Sequence, residues 1–151
     1  MRTGTAVSMV TFVAGVSCWV RRNFVAVTIH GSSMEPTYHD GDQVIVRCSG
    51  GASCRYSDVV VFLNPQTETL DSETSQPRWL VKRVVAVPGD RLPEYMLSCP
   101  DSTASSVPEG FFAVQGDSPR SVDSRHFGLV SDADILGVVW LLREQVVRLM
   151  R

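Results

Sequence analysis

Three short segments carry the side chains with which this chain could act on a substrate. Gly31 to Thr37 reads GSSMEPT and follows a run with strand character, so a serine there stands on a glycine-led turn at a strand end, where its hydroxyl can face a cleft. A serine in such a position is more often a turn residue and nothing else. Lys82 lies inside WLVKRVVAV, where strand alternation sets one lysine among large aliphatic neighbours. Most strand lysines snorkel to water or mark a solvated edge. A partly desolvated lysine, however, gives up its proton more easily and can then activate a serine without histidine. The third segment, Gly116 to Val130, reads GDSPRSVDSRHFGLV and packs Ser, Asp and Arg between two apolar runs, as a salt-bridged loop also would. Around His30, His39 and His126 no carboxylate spacing makes a Ser-His-Asp set, so they are taken as bystanders, with His30 the nearest to Ser33.

The elements that hold these segments are short apolar runs bounded by turn residues. Phe24 to Ile29, Gln43 to Arg47, Asp58 to Leu63, Trp79 to Val87, Phe111 to Gln115 and Ile135 to Leu142 are rich in Val, Ile and Phe, which predicts strands. HDGD at 39–42, NP at 64–65, PGD at 88–90 and PEG at 108–110 separate them, at intervals typical of an all-β domain. Gln66 to Pro77 and Ser98 to Pro108 are polar and predict exposed loops, and the middle of the chain holds no amphipathic segment of helix length. The expectation is a mainly β domain over 24–142, followed by a short basic and apolar tail over 143–151.

With 151 residues, the chain has room for one domain and little more. Hydrophobic residues make up 44%, charged residues only 20%, and mean hydropathy is +0.05, so the chain folds and intrinsic disorder is excluded as its main state. Fourteen Lys and Arg against sixteen Asp and Glu give a net charge of −2, which supplies no basic field to attract nucleic acid. Thr3 to Val20 holds no charged residue and sits between Arg2 and the pair Arg21 and Arg22. Eighteen residues is the lower limit for a bilayer-spanning helix, so 3–20 is expected to be a single membrane anchor. A cleaved secretory signal and a buried core helix are the alternatives, and the flanking arginines leave the orientation open. Cys18, Cys48, Cys54 and Cys99 have no zinc-site spacing; Cys48 and Cys54 stand close enough to bridge in an oxidising compartment, or remain two separate thiols.

Taken together and in order, GSSMEPT, VKRVVAVPGD and GDSPRSVDSRHFGLV resemble the serine, lysine and terminal boxes of type I signal peptidases and their mitochondrial inner-membrane relatives. The resemblance covers most of the chain and implies a β-rich catalytic domain behind one N-terminal transmembrane helix. It makes Ser33 the nucleophile, in preference to Ser32, Lys82 the general base, and Ser121 the hydroxyl that keeps the lysine in register. Asp123, Arg125 and Arg83 resemble the family's supporting ion-pair cluster. Ile29, Met34, Leu80 and Val81 align with residues lining shallow apolar pockets for small side chains before the cut. Some members add a serine hydroxyl to the oxyanion site two residues before the nucleophile; here that position is Gly31, and the second donor stays unassigned. The implied activity is removal of signal or leader peptides from exported precursors through an acyl-enzyme, with no metal or organic cofactor. The implied partners are precursor proteins and the lipid bilayer, not nucleic acid.

The short stretch between the lysine and terminal boxes resembles compact Gram-positive, actinobacterial and mitochondrial members, the actinobacterial ones most. The expected location is therefore the outer side of a bacterial plasma membrane, with the mitochondrial inner membrane as the alternative. A protease dedicated to one precursor and a membrane-anchored module without catalysis are the rival functions. A self-cleaving repressor shares the Ser-Lys pair, but it would need a DNA-binding domain ahead of the serine, where this chain has only the apolar segment.

Overall fold

The computed structural model describes residues 22–65, 79–96 and 106–142. The expected anchor at 3–20, the tail at 143–151, the loop at 66–77, most of the loop at 98–108, Cys18 and Cys99 lie outside the described residues. Among the described residues no helix is long and apolar enough to cross a membrane.

Seven strands follow in chain order: β1 (Phe24–Thr28), β2 (Gln43–Arg47), β3 (Val59–Leu63), β4 (Trp79–Ala86), β5 (Phe111–Gln115), β6 (Val130–Ser131) and β7 (Ile135–Leu142). One four-residue helix, α1 (Ser124–Phe127), lies between β5 and β6. The strands form one antiparallel sheet in the order β1-β2-β7-β3-β4-β5-β6. All six runs expected to be strands are strands, each within a residue of its expected limits. The two-residue β6 and helix α1 were not expected, because neither is long enough to show a period in the sequence.

β3 explains how the sheet is buried. Its sequence VVVFL has no polar residue, and its two faces serve two cores. Val60 and Phe62 pack with Val84, Phe112, Val114, Val130 and Ile135 on one side, while Val61 packs with Ile29, Val44 and Val46 on the other. Each such side chain contributes roughly 1.5–3 kcal/mol when fully removed from water. On β4, Lys82 is paired with Val60 and Arg83 with Val59. Directly paired residues share a face, so the lysine projects on the side of the first core and the arginine on the other. Leu80 and Val81 alternate in the same way, the first against the Val60 cluster and the second against the Val61 cluster.

Cys48 and Cys54 are free thiols in this fold. The Cys54 thiol is raised to about 11, chiefly by burial and further by the Asp58 charge.

Candidate active site

The turn that carries Ser33 is held from three directions. Ile29, which follows β1, donates its N–H to Asp42 O at 2.8 Å and accepts from Gly41 N at 2.9 Å, so the chain enters the turn at a defined point. Gly31 has φ +83°, a left-handed conformation that a residue without Cβ adopts at little cost, and its N–H donates to Asp40 Oδ1 at 2.7 Å. Met34 is fully buried and anchors the far side of the turn, where Tyr38 N donates to Met34 O at 3.0 Å. Between these anchors Ser33 is partly exposed.

The polar segment after β5 closes over the turn. Ser118 N donates to Ser33 O at 3.1 Å, and Ser121 N donates to Ser118 O at 3.1 Å, so the Ser33 turn and the segment are joined through backbone. Gly116 makes this approach possible. A Cβ there would overlap the Ser121 side chain and stand 2.5 Å from Ser33 O. Asp123, fully buried, caps α1: its Oδ1 accepts from Arg125 N, while its own N–H donates to His126 Nδ1 at 3.3 Å. Arg125 grips the same carboxylate with Nε and Nη2, each at 2.8 Å, and Gly116 N donates to Oδ2 at 3.0 Å. Burial alone pushes the Asp123 carboxyl up, but these hydrogen bonds outweigh it and hold the group below the ordinary range.

Ser33, Lys82 and Ser121 line one cleft of about 360 Å³, together with His30, Leu80 and Asn64 among others. Lys82 is only 3% exposed, and its ammonium forms no hydrogen bond or ion pair with any described residue. Its pKa is lowered from 10.5 to about 8 by burial, with the charge of Asp123 opposing the shift. No acid adjoins Lys82 along the chain, yet the fold brings Asp123 near enough to act on it. The Ser121 hydroxyl donates to Val122 O at 3.4 Å and makes no bond to Lys82.

The expected cluster of Asp123, Arg125 and Arg83 is two separate pairs. Arg125 belongs to Asp123. Arg83 instead holds Asp117 through Nε at 2.8 Å and Nη2 at 2.6 Å, and donates from Nη1 to Ser57 O at 3.0 Å. Thr37, from the Ser33 turn, donates its hydroxyl to Asp117 Oδ2 at 2.5 Å. The Arg83 guanidinium holds the Asp117 carboxyl below its ordinary value, with Thr37 assisting. Sequence reasoning missed Asp117, Thr37 and Gly116. The only hint was their presence inside the quoted segments, since alternation along β4 does not say which carboxylate meets Arg83.

The four residues expected to line apolar pockets divide. Leu80 lines the cleft. Ile29 and Met34 are buried at 3% and 0% exposure, and Val81 packs with Ile29 on the second core, so these three are not among the lining residues. Of the histidines, His30 lines the cleft, His39 N donates to Asp42 Oδ2 at 2.8 Å, and His126 completes the α1 cap.

A serine hydroxyl and a buried amine without a hydrogen-bond partner among the described residues therefore line one cleft, and a lysine whose pKa is lowered is a group that can accept a proton near neutral pH. A family model described as signal peptidase, peptidase S26, matches residues 2–96 and 93–142. Signal peptidase I V of Bacillus subtilis (strain 168) is 28% identical, over 77% of this chain and 83% of that protein. Signal peptidase IB of Staphylococcus aureus is also 28% identical, over 84% of this chain and 82% of that protein. A solved structure of a signal peptidase I from Enterococcus faecalis superposes with a TM-score of 0.45 at 23% identity, covering 58% of this chain and 97% of that one.

Proposed function

The chain belongs to the signal peptidase family, peptidase S26, and is a serine peptidase; from that starting point we propose that it removes signal or leader peptides from exported precursors with Ser33 as nucleophile and Lys82 as base. The observation that carries this reading is Lys82 itself, buried, without a hydrogen-bond partner among the described residues and lowered to about 8 in the cleft that Ser33 lines.

Neutral Lys82 Nζ takes the Ser33 hydroxyl proton while Oγ attacks the carbonyl carbon before the cut. Negative charge moves to the carbonyl oxygen, where the Ser33 N–H donates to it. As the tetrahedral intermediate collapses, the Lys82 ammonium returns the proton to the departing amine, and the signal peptide is left as an ester on Ser33. Water, losing a proton to Lys82, then hydrolyses the ester and restores the serine. Ser121 keeps the amine directed at Ser33 when substrate fills the cleft. Arg125 and Asp123 hold α1 and the segment around Ser121 in place, and Arg83 and Asp117 clamp the nucleophile turn. The enzyme is membrane-bound through 3–20, with its catalytic domain on the outer side of a bacterial plasma membrane.

A penem-type probe that acylates an active serine tests the reading. Wild-type protein is expected to take up one equivalent on Ser33 and to cleave a precursor presented in vesicles. Ser33→Ala and Lys82→Arg, the latter keeping charge but unable to deprotonate, are expected to lose both by more than about a thousandfold while remaining folded. Near-normal cleavage by Lys82→Arg would make the lysine structural. A folded wild type that neither labels nor cleaves would point to the non-catalytic module.

A further inference from the structure

The cleft around Ser33 carries a cation that the chemistry above does not use. Arg120 immediately precedes Ser121, is exposed, and lines the same cleft as Ser33, Lys82 and His30. It makes no hydrogen bond or ion pair with any described residue. No Asp or Glu is among the described residues lining the cleft. Of the carboxylates of the adjoining segments, Asp117 is committed to Arg83 and Thr37, Asp123 to Arg125 and Gly116 N, and Asp40 to Gly31 N, with His30 Nδ1 3.9 Å away, while Glu35 is not among the residues lining the cleft and makes no ion pair with Arg120. A guanidinium with no partner among the described residues therefore stands at the rim of the Ser33 cleft in a chain whose net charge is −2.

An arginine at such a place is suited to a carboxylate, which its planar fork can bind through two hydrogen bonds. We propose that Arg120 is a specificity residue that favours precursors carrying Asp or Glu close to the scissile bond. This rests on the reading that Ser33 cleaves peptides. The lysine that must lose its proton stays buried below the rim, so substrate charge is sensed by Arg120 while Lys82 is kept for proton transfer. A solvated rim charge acts on encounter and register, and its effect is screened by salt.

The test uses the full-length protein in vesicles and one precursor in which each of the three positions on either side of the cut is set in turn to Asp, Ala or Arg. At low salt, kcat/KM is expected to favour Asp over Arg by about tenfold at one or more positions, the size of two opposed surface-pair effects. The ratio is expected to shrink in about 0.5 M salt, where the screening length falls to roughly 4 Å. Arg120→Gln should bring it close to unity and Arg120→Glu should invert it. Because each ratio is internal to one variant, an overall loss of activity does not disturb it. An Asp-to-Arg ratio unchanged in Arg120→Glu, or no preference in wild type, overturns the inference while leaving the peptidase reading intact. If wild type cleaves none of the precursors and Ser33 takes no acyl label, the peptidase reading falls and this inference falls with it.

Discussion

Lys82 and Arg83 are consecutive on β4, so they project to opposite faces of the sheet, and the two faces treat their cations in opposite ways. On one, Lys82 is buried beside the Val60 cluster with no hydrogen-bond partner among the described residues, and burial lowers its pKa to about 8. On the other, Arg83 meets Asp117 through two hydrogen bonds from one edge of its guanidinium, and that pairing raises its already high pKa. Desolvation without a partner makes a group that can release its proton; pairing makes one that stays charged and holds elements together. One face of β4 thus carries the cation suited to the proposed proton transfer and the other an ion pair that ties elements together, with the Ser33 turn near both.

The largest consequence is in the pH dependence of cleavage. With Lys82 at about 8, half of it is neutral at pH 8 and about 1% at pH 6, so the rate should fall about fiftyfold between pH 8 and pH 6 along a single limb. A profile that is flat over that range would remove Lys82 from the role of base and dissolve the contrast with Arg83.

Stability should divide the two faces as well. The folded pKa of Lys82 lies below the unfolded value of 10.5, so the folded state binds fewer protons between about pH 8 and 10.5, and stability rises with pH across that window. Below pH 8 the buried ammonium costs the fold about 3 kcal/mol on the usual conversion of the shift. Lys82→Met is therefore expected to stabilise by about that amount at pH 7 and by progressively less as pH rises towards 10.5, as denaturant unfolding at several pH values would reveal. A destabilised Met variant at pH 7 would mean that the ammonium has favourable partners after all.

Removing charge from the opposite face should do the reverse. Asp117→Asn leaves Arg83 without its counter-charge at a site where the two side chains are 27% and 16% exposed, and is expected to destabilise by roughly 2 kcal/mol. Thr37→Val deletes only the hydroxyl that ties the Ser33 turn to Asp117, for a loss of about 1 kcal/mol. Thermal unfolding would rank the two, and an order of effects with Thr37 above Asp117 would make the turn, not the ion pair, the structural centre of that face.

The strands were legible because their signals are local. Val, Ile and Phe concentrate in runs such as VVVFL and FFAVQ, and turn residues close each run, so neighbouring residues suffice to mark them. Helix α1 was not legible, since four residues show no periodicity and its cap depends on Asp123 being buried. Within the candidate site, the motifs pointed to Ser33, Lys82 and Ser121, which the fold brings to one cleft, but they also suggested a single ion-pair cluster where there are two. Alternation along WLVKRVVAV puts Lys82 and Arg83 on opposite faces, yet it is silent on which acid lies across each face.

The sequence by itself determined where the strands run, that Lys82 sits among aliphatic neighbours, and that a glycine-led turn presents a serine after the first strand. These follow from side-chain volume, branching and backbone freedom, which act between residues a few positions apart. The tertiary structure alone decided that β7 inserts between β2 and β3, that Asp117 meets Arg83, that Asp123 opposes the shift on Lys82, and that Gly116 lets Ser121 approach Ser33. Those features depend on desolvation and on charges brought together from distant parts of the chain, and the Coulomb energy of a pair is set by distance and burial in space, not by separation along the sequence.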